Sequence, residues 1–177
     1  LSSDVKATKL TIGGNDTFGP GIYTFTITGS GTGVSRPFLI NSGGTFNAGT
    51  SLAEFTATST TDIESTTYYN LKLNQTGTTF QLYNNVTTTN DINIAAGTLD
   101  VTANNYNLVI GGNWTNAGTF IAQNGTVTFN ATSPNKTITA GSSAFYNLTF
   151  NGLGGGWTLT ANTTTTNNFI ISQGTVT

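Results

Sequence analysis

Residues 69–100 read YNLKLNQTGTTFQLYNNVTTTNDINIAAGTLD, and residues 146–177 read YNLTFNGLGGGWTLTANTTTTNNFIISQGTVT. The two stretches align without a gap, and 14 of the 32 positions are identical. A second pair, residues 44–59 and 118–133, also aligns without a gap, with eight of 16 positions identical. Long internal repeats of this kind indicate an architecture of similar stacked units.

A shorter period lies inside the long repeat. A motif of a polar, an apolar, any and an apolar residue recurs at spacings of 21, 16, 19, 21 and 21 along the chain. Its six occurrences are NLKL (70–73), DINI (91–94), NLVI (107–110), TVTF (126–129), NLTF (147–150) and NFII (168–171). Units of this length, with short alternating strands and Gly- or Asn-rich turns, have the size of one β-solenoid turn. The sequence therefore predicts an all-β fold, a parallel β-solenoid of roughly nine short rungs.

In a β-solenoid, residues at the same position of successive rungs lie above one another, about 4.8 Å apart. The two apolar positions of the motif are therefore predicted to form two inward columns. These columns are Leu71/Ile92/Leu108/Val127/Leu148/Phe169 and Leu73/Ile94/Ile110/Phe129/Phe150/Ile171. The polar position is predicted to form one hydrogen-bonded ladder. Its members are Asn70/Asp91/Asn107/Thr126/Asn147/Asn168.

An antiparallel β-sandwich or jelly roll is the alternative fold, because it also uses short alternating strands and tight turns. The in-register polar column favours the solenoid. We divide the chain into a β-repeat region, residues 38–177, and an N-terminal segment, residues 1–37, that departs from the repeat pattern. This segment contains three of the five basic residues. It is predicted to be an atypical cap or an inter-subunit contact element.

Three runs of the repeat region belong to a familiar kind of repeat, namely GGNWTNAGTFIAQNGTVTFN (111–130), FYNLTFNG (145–152) and WTLTANTTTTNN (157–168). They resemble the tandem repeats of large secreted prokaryotic surface proteins of the filamentous-haemagglutinin and adhesin type. The resemblance covers about residues 38–177. It implies a right-handed parallel β-helix, secretion, display at the cell surface and a structural or adhesive role. It transfers no functional residue, because it concerns the manner of repetition and not a catalytic signature.

The composition argues against several function classes. Charged residues make up 7% of the chain, and there is no His, Cys or Met. Few Lys and Arg side chains argue against nucleic-acid binding, and no apolar run reaches the length of a membrane span. The only close acidic pair, Asp62 and Glu64, has no basic neighbour in the sequence and is interpreted as part of a solvated loop. We therefore expect no enzyme, no metal site and no cofactor.

Nine sequons of the N-x-S/T type occur in the chain. Asn74, Asn124 and Asn135 lie in predicted turns and are the best candidates for N-glycosylation, and Asn15 and Asn113 are further candidates. Asn147 is predicted to be a poor acceptor, because it belongs to the predicted ladder.

Threonine tracts at residues 87–89 and 163–166 hold the same place in successive long repeats. A flat array of threonines on a solenoid can order water and bind ice, but this requires threonine at one position of every rung. The predicted rungs between the two tracts lack it, so the sequence does not favour this function.

The last strand-like stretch, residues 167–177, is uncharged and contains no proline. An open solenoid end exposes unpaired backbone groups and apolar side chains, which suit the strands of another chain. We expect this end to meet an alternating N-terminal strand, Val5–Ile12, of an identical subunit. The candidate contact residues are Val5, Ala7, Leu10, Ile12, Phe169, Ile171 and Val176. A longer natural chain that continues the repeats is the alternative.

The sequence thus predicts a structural subunit of an extracellular or cell-surface filament that assembles head to tail. The start at Leu1 without Met is consistent with removal of a signal peptide and hence with secretion. The alternative function is an adhesin or carbohydrate-binding rod that contacts surface glycans. Its candidate aromatic residues are Tyr68, Tyr69, Tyr106 and Trp114.

Overall fold

The structure, a computed structural model, describes all 177 residues. It is built from short strands, and its one helical element is a 3-10 turn at Gly33–Ser35. The strands in the first half are β1 (Val5–Ala7), β2 (Leu10–Ile12), β3 (Thr17–Phe18), β4 (Thr24–Ile27), β5 (Phe38–Ile40), β6 (Thr45–Phe46), β7 (Leu52–Phe55), β8 (Thr61–Ile63), β9 (Thr67–Tyr68) and β10 (Asn70–Leu82). Those in the second half are β11 (Val86–Thr88), β12 (Ile92–Asp100), β13 (Leu108–Ile110), β14 (Trp114–Asn116), β15 (Thr119–Ile121), β16 (Thr126–Phe129), β17 (Lys136–Thr139), β18 (Asn147–Leu159) and β19 (Phe169–Val176).

Every strand pairing is parallel, and the chain winds through about eight turns of a β-solenoid. The predicted fold class is therefore confirmed, with slightly fewer turns than expected. Parallel strands must be joined by crossover connections, and here each connection is the rest of one turn.

The strands lie on three faces, which we name A, B and C in chain order, and the turns after β15 have strands on faces A and C alone. Face A contains β1, β4, β7, the start of β10, the start of β12, β14, β17, the end of β18 and the end of β19. Face B contains β2, β5, β8, the end of β10, the end of β12 and β15. Face C contains β3, β6, β9, β11, β13, β16, the start of β18 and the start of β19. Where one long strand serves two faces, it turns the corner through a register shift.

The predicted inward columns are split between two faces. Leu71 pairs with Ile92 on face A, and Ile92 pairs onward with Trp114. Leu108 instead lies on face C, where it pairs with Val86 and Val127. The expectation of one continuous column from Leu71 to Phe169 is therefore wrong at the step from Ile92 to Leu108. This shortest step carries the chain from face A of one turn to face C of the same turn.

The polar ladder forms, and it is also divided in two. Beside face A, the Oδ1 atom of Asn70 accepts from the Asp91 amide, and Asp91 Oδ1 accepts from the amide and side chain of Asn113. Beside face C, the Oδ1 atom of Asn107 accepts from the Thr126 amide, and the Asn147 side chain donates to the Thr126 hydroxyl. Each ladder ties consecutive turns together at a corner, where backbone groups lack strand partners.

The inward side chains form a single core that runs along the axis. Thirty-one buried hydrophobic residues make up this cluster. Aromatic rings continue the stack from turn to turn, as where Phe129 lies parallel to Phe150 with their centroids 5.3 Å apart. Because each turn covers the apolar cross-section of the one before it, stability is expected to follow from contacts between neighbouring turns.

Residues 1–37 form the first turn and the start of the second. β1 pairs with β4, and β4 pairs with β7 of the repeat region. The segment is therefore continuous with the repeat region on face A.

The long sequence repeat does not span a whole number of turns. β10 and β18 are the same 13-residue element in its two copies. β10 runs from face A to face B, whereas β18 runs from face C to face A. The second copy is therefore turned by one face relative to the first.

Candidate assembly edges and surface sites

At the C-terminal edge, β19 pairs with β18 on one side and its other side has no strand partner. Phe169 and Ile171 are 45% and 50% exposed, although their side chains continue the inward columns of face C. Their counterparts one turn earlier, Leu148 and Phe150, are fully buried because β19 covers them. The third predicted residue, Val176, is half-buried on face A. The structure thus brings these three predicted residues to one open edge.

At the N-terminal edge, β1, β2 and β3 each pair with one strand, so their other sides are free. Val5, Ala7 and Leu10 are half-buried there. The predicted single strand Val5–Ile12 is wrong, because the chain turns from face A to face B between Ala7 and Leu10. Ile12 is 3% exposed and belongs to the core, so its side chain is already covered by its own chain.

Phe18 is an edge residue that the sequence prediction missed. It lies on β3 at the open side of face C, and its ring centroid is 5.6 Å from that of Phe25 and 6.1 Å from that of Phe46. The Thr-Phe pair at residues 17–18, repeated at residues 45–46, is a signal that could have identified it.

The two edges belong to one continuous strand stack on face A. Face A begins with β1 and ends with β19, and every pairing between them is parallel. On face C, β3 pairs only with β6 in a separate two-stranded sheet, and the continuous ladder that ends with β19 begins at β9. A second copy placed along the axis therefore meets the C-terminal edge with strands that run in the same direction.

Asp62 and Glu64 are buried, so the solvated-loop interpretation is wrong. Each is 4% exposed, because residues 31–37 fold over this part of face B. The Arg36 Nε atom donates to Glu64 Oε2 at 2.7 Å, and Asp62 accepts from the Gly33 amide at 2.6 Å. The basic partner that the local sequence lacked is supplied from the previous turn.

This buried cluster fastens the second turn to the third. Glu64 also accepts from the amides of Ile40 and Ser65, which satisfies its carboxylate. Arg36 lies 3.8 Å from the ring centroid of Tyr83 in a cation–π contact. Burial and then the nearby Glu64 carboxylate raise the pKa of Tyr68 well above its ordinary value. With its oxygens already bonded, the Glu64 carboxylate serves as a structural tie.

The aromatic residues proposed for glycan contact do not form one surface. Tyr68 and Trp114 are fully buried in the core, which contradicts their assignment as exposed platforms. Tyr69 and Tyr106 are half-buried. The exposed tyrosine is Tyr83, which the prediction missed. It belongs with Tyr106, Asp62, Gln81 and Asn104 to a groove of about 310 Å³ beside face B.

The predicted glycosylation sites differ in their surroundings. Asn15, Asn124 and Asn135 are exposed. Asn74 is half-buried and its amide donates to Glu54, while the Asn113 side chain bonds Asp91 and Thr137 in the face A ladder. Asn147 is held in the face C ladder. Modification of any of these sites stays a prediction.

In comparisons with known proteins, no protein-family model, no curated protein and no solved structure matches this chain. The structure contains no cluster of three or more carboxylate, His or Cys side chains placed to hold a metal ion. None of its helical segments has the length and hydropathy needed to cross a lipid bilayer.

Proposed function

We propose that this chain is a structural subunit of an extracellular or cell-surface filament, in which β-solenoids join end to end. The observation that carries the proposal is the exposure of Phe169 and Ile171, since the same columns are fully buried one turn earlier. In the filament, strands β1 and β3 of the next copy cover the exposed side chains of Phe169 and Ile171. A further turn of a longer chain would cover this edge through the same contacts.

The expected driving force combines apolar burial with backbone pairing. Full burial of a side chain of this size contributes about 1.5–3 kcal/mol, so covering the exposed half of Phe169 and Ile171 contributes about 1 kcal/mol each. The free backbone groups of β19 also gain strand partners. Residues 163–177 carry no charged side chain, so charge repulsion at this edge is small.

The contact joins two different surfaces and is therefore heterologous. A heterologous contact along an axis does not close on itself, and repetition of it produces a filament. The low content of charged residues and the exposed sequons Asn15, Asn124 and Asn135 support a location outside the cell, which we include in the proposal.

The first test compares two lysine substitutions on β19. Ile171 points along the inward column and is 50% exposed, while its neighbour Ile170 points outward and is 44% exposed. We expect I171K to abolish assembly in light scattering and electron microscopy, because it places a charge between two apolar cross-sections. I170K is the matched control and should assemble like the unmodified chain. Equal loss in both variants, or an unmodified chain that stays monomeric at high concentration, contradicts the proposal.

A second test uses the two-sided nature of the contact. V5K blocks the N-terminal edge, and I171K blocks the C-terminal edge, so neither variant should polymerise alone. Mixed together, they share one intact pair of edges and should form a one-to-one heterodimer that grows no further. Size-exclusion chromatography with light scattering measures this mass. A mixture that stays monomeric, or one that polymerises, refutes end-to-end stacking.

A carbohydrate-binding rod is the second candidate function, and the groove beside face B favours it. Tyr83 offers an exposed ring backed by Arg36, and the groove also contains the Asn104 amide and the Gln81 side chain. Aromatic rings beside polar groups suit the apolar faces and hydroxyls of a saccharide. Binding on a glycan array should fall in Tyr83→Ala and persist in Tyr69→Ala. Glycan binding that both variants keep would dismiss this groove.

A further inference from the structure

The outward position at the centre of face C holds threonine in six of eight turns. In order of the turns, the residues are Thr17, Thr45, Thr67, Thr87, Val109, Thr128, Thr149 and Ile170. The two exceptions are β-branched like threonine. We call this set the threonine column.

The hydroxyl groups of the threonine column are free. None of the six takes part in a hydrogen bond within the protein, whereas Thr88 and Thr89 beside the column bond backbone oxygens. A β-branched side chain on a strand has few rotamers, so each methyl and hydroxyl has a restricted direction. The column therefore presents a row of similarly oriented donors and acceptors to solvent.

The spacing along the column is regular. Thr87, Val109, Thr128, Thr149 and Ile170 pair in sequence without a register shift at these positions. Parallel strands lie about 4.8 Å apart, so the continuously paired part of the column, from Thr67 to Ile170, extends over roughly 24 Å. The residues two positions away on each strand form parallel rows at about 6.7 Å.

Face C also lacks charge. No Asp, Glu, Lys or Arg lies within its strands, although face A carries the ion pair of Glu54 and Lys72. The internal repeat allows equivalent positions on the two faces to be compared, and the charged residues of face A are replaced by threonine on face C. In the alignment of residues 44–59 with residues 118–133, Glu54 lies opposite Thr128. In the alignment of residues 69–100 with residues 146–177, Lys72 lies opposite Thr149, so the same repeated element has charges on face A and threonines on face C.

We infer that face C binds ice, an ordered lattice of water, through the threonine column. The strand spacing is close to the repeat of water oxygens along one axis of the ice lattice, so free hydroxyls can take lattice positions. The intervening methyl groups restrict the nearby water, and uncharged flanking rows do not hold water in a competing arrangement. The sequence alone does not favour this function, because its motif places all rungs in one column. With face C assigned from the strand pairing, threonine occupies the column in six of the eight turns, and the β-branched Val109 and Ile170 occupy it in the other two.

The test measures inhibition of ice recrystallisation and adsorption of the fluorescently labelled chain to a growing single ice crystal. We expect the unmodified chain to adsorb and to inhibit recrystallisation. Thr128→Tyr, at the middle of the column, should lose both activities. Thr115→Tyr is the matched control, because Thr115 lies in the same turn and is exposed on face A. This control should keep both activities.

Circular dichroism and tryptophan fluorescence must show that each variant is folded. If Thr128→Tyr does not fold, Thr67→Lys at an exposed position of the column replaces it and should show the same loss. An unmodified chain that fails to adsorb to ice overturns the inference, as does equal loss in Thr128→Tyr and Thr115→Tyr. The inference does not depend on filament assembly, so monomeric I171K should still adsorb to ice.

Discussion

Removal of the positive charge from the buried cluster is expected to destabilise the protein strongly. In Arg36→Met, the Glu64 carboxylate keeps its burial and loses its cation, which lies 2.7 Å away in the unmodified chain. The two side chains are 7% and 6% exposed, so water does not replace the lost contact. Breaking a buried ion pair on one side costs about 3–5 kcal/mol, and we expect the free energy of unfolding to fall by this amount.

The double variant R36M/E64Q separates the charge from the packing. Glutamine keeps one acceptor oxygen, which retains the hydrogen bond from the Ile40 amide, while the bond from the Ser65 amide to the other oxygen is lost and the uncompensated charge disappears. We expect the double variant to be more stable than R36M by about 2 kcal/mol, although it has one more substitution. Urea unfolding followed by far-UV circular dichroism measures the unmodified chain, R36M, E64Q and R36M/E64Q, each carrying I171K so that all four proteins are monomeric.

Two results would refute this reasoning about the cluster. One is a cost of R36M below about 1 kcal/mol, which is the value typical of an exposed ion pair. The other is strict additivity, in which E64Q lowers stability by the same amount with and without Arg36. Either result would mean that the ion pair does not fasten the second turn to the third.

Two further predictions concern contacts between turns. Gly152→Ala should lower the free energy of unfolding in urea by about 3 kcal/mol, because the new methyl group overlaps the carbonyl oxygen of Ala131 in the previous turn. Gly19→Ala is the control and should be tolerated, because the nearest atom to its new methyl group would be 3.7 Å away. The pKa of Glu54 is raised by partial burial but lowered further by hydrogen bonds from Lys72 and a neighbouring amide, so that it lies below the ordinary value of 4.5. A depressed folded-state pKa stabilises the protein above the unfolded pKa, and this contribution is lost as the pH falls below 4.5. Glu54→Gln should therefore flatten the acid limb of a stability–pH curve, and an unchanged limb would contradict the assignment.

The sequence predicted the solenoid because strand alternation and turn spacing are local and periodic. It could not assign strands to faces, because the motif around Leu71 on face A is indistinguishable from the one around Leu148 on face C. The face is set by the accumulated length of the intervening turns and corners, which local patterns do not contain. For the same reason, the sequence did not indicate the threonine column, and it predicted one polar ladder where the structure has two.

The buried cluster was invisible for a different reason. Arg36 and Glu64 are 28 positions apart and lie in consecutive turns, so no local pattern pairs them. Asp62 and Glu64 are surrounded by polar residues in the sequence, which is typical of an exposed loop. Their burial follows from the 3-10 turn at Gly33–Ser35, which folds over face B and brings the guanidinium into contact.

The mismatch between the long repeat and the number of turns has a consequence for any chain that multiplies this unit. A side chain fixed within the unit would appear on face A in one copy and on face C in the next, and would return to its starting face only after three copies. Equivalent surface side chains of successive copies therefore follow a helical path around the solenoid axis. For one face to carry the same residue type along its whole length, the copies must differ in sequence at the positions that lie on that face.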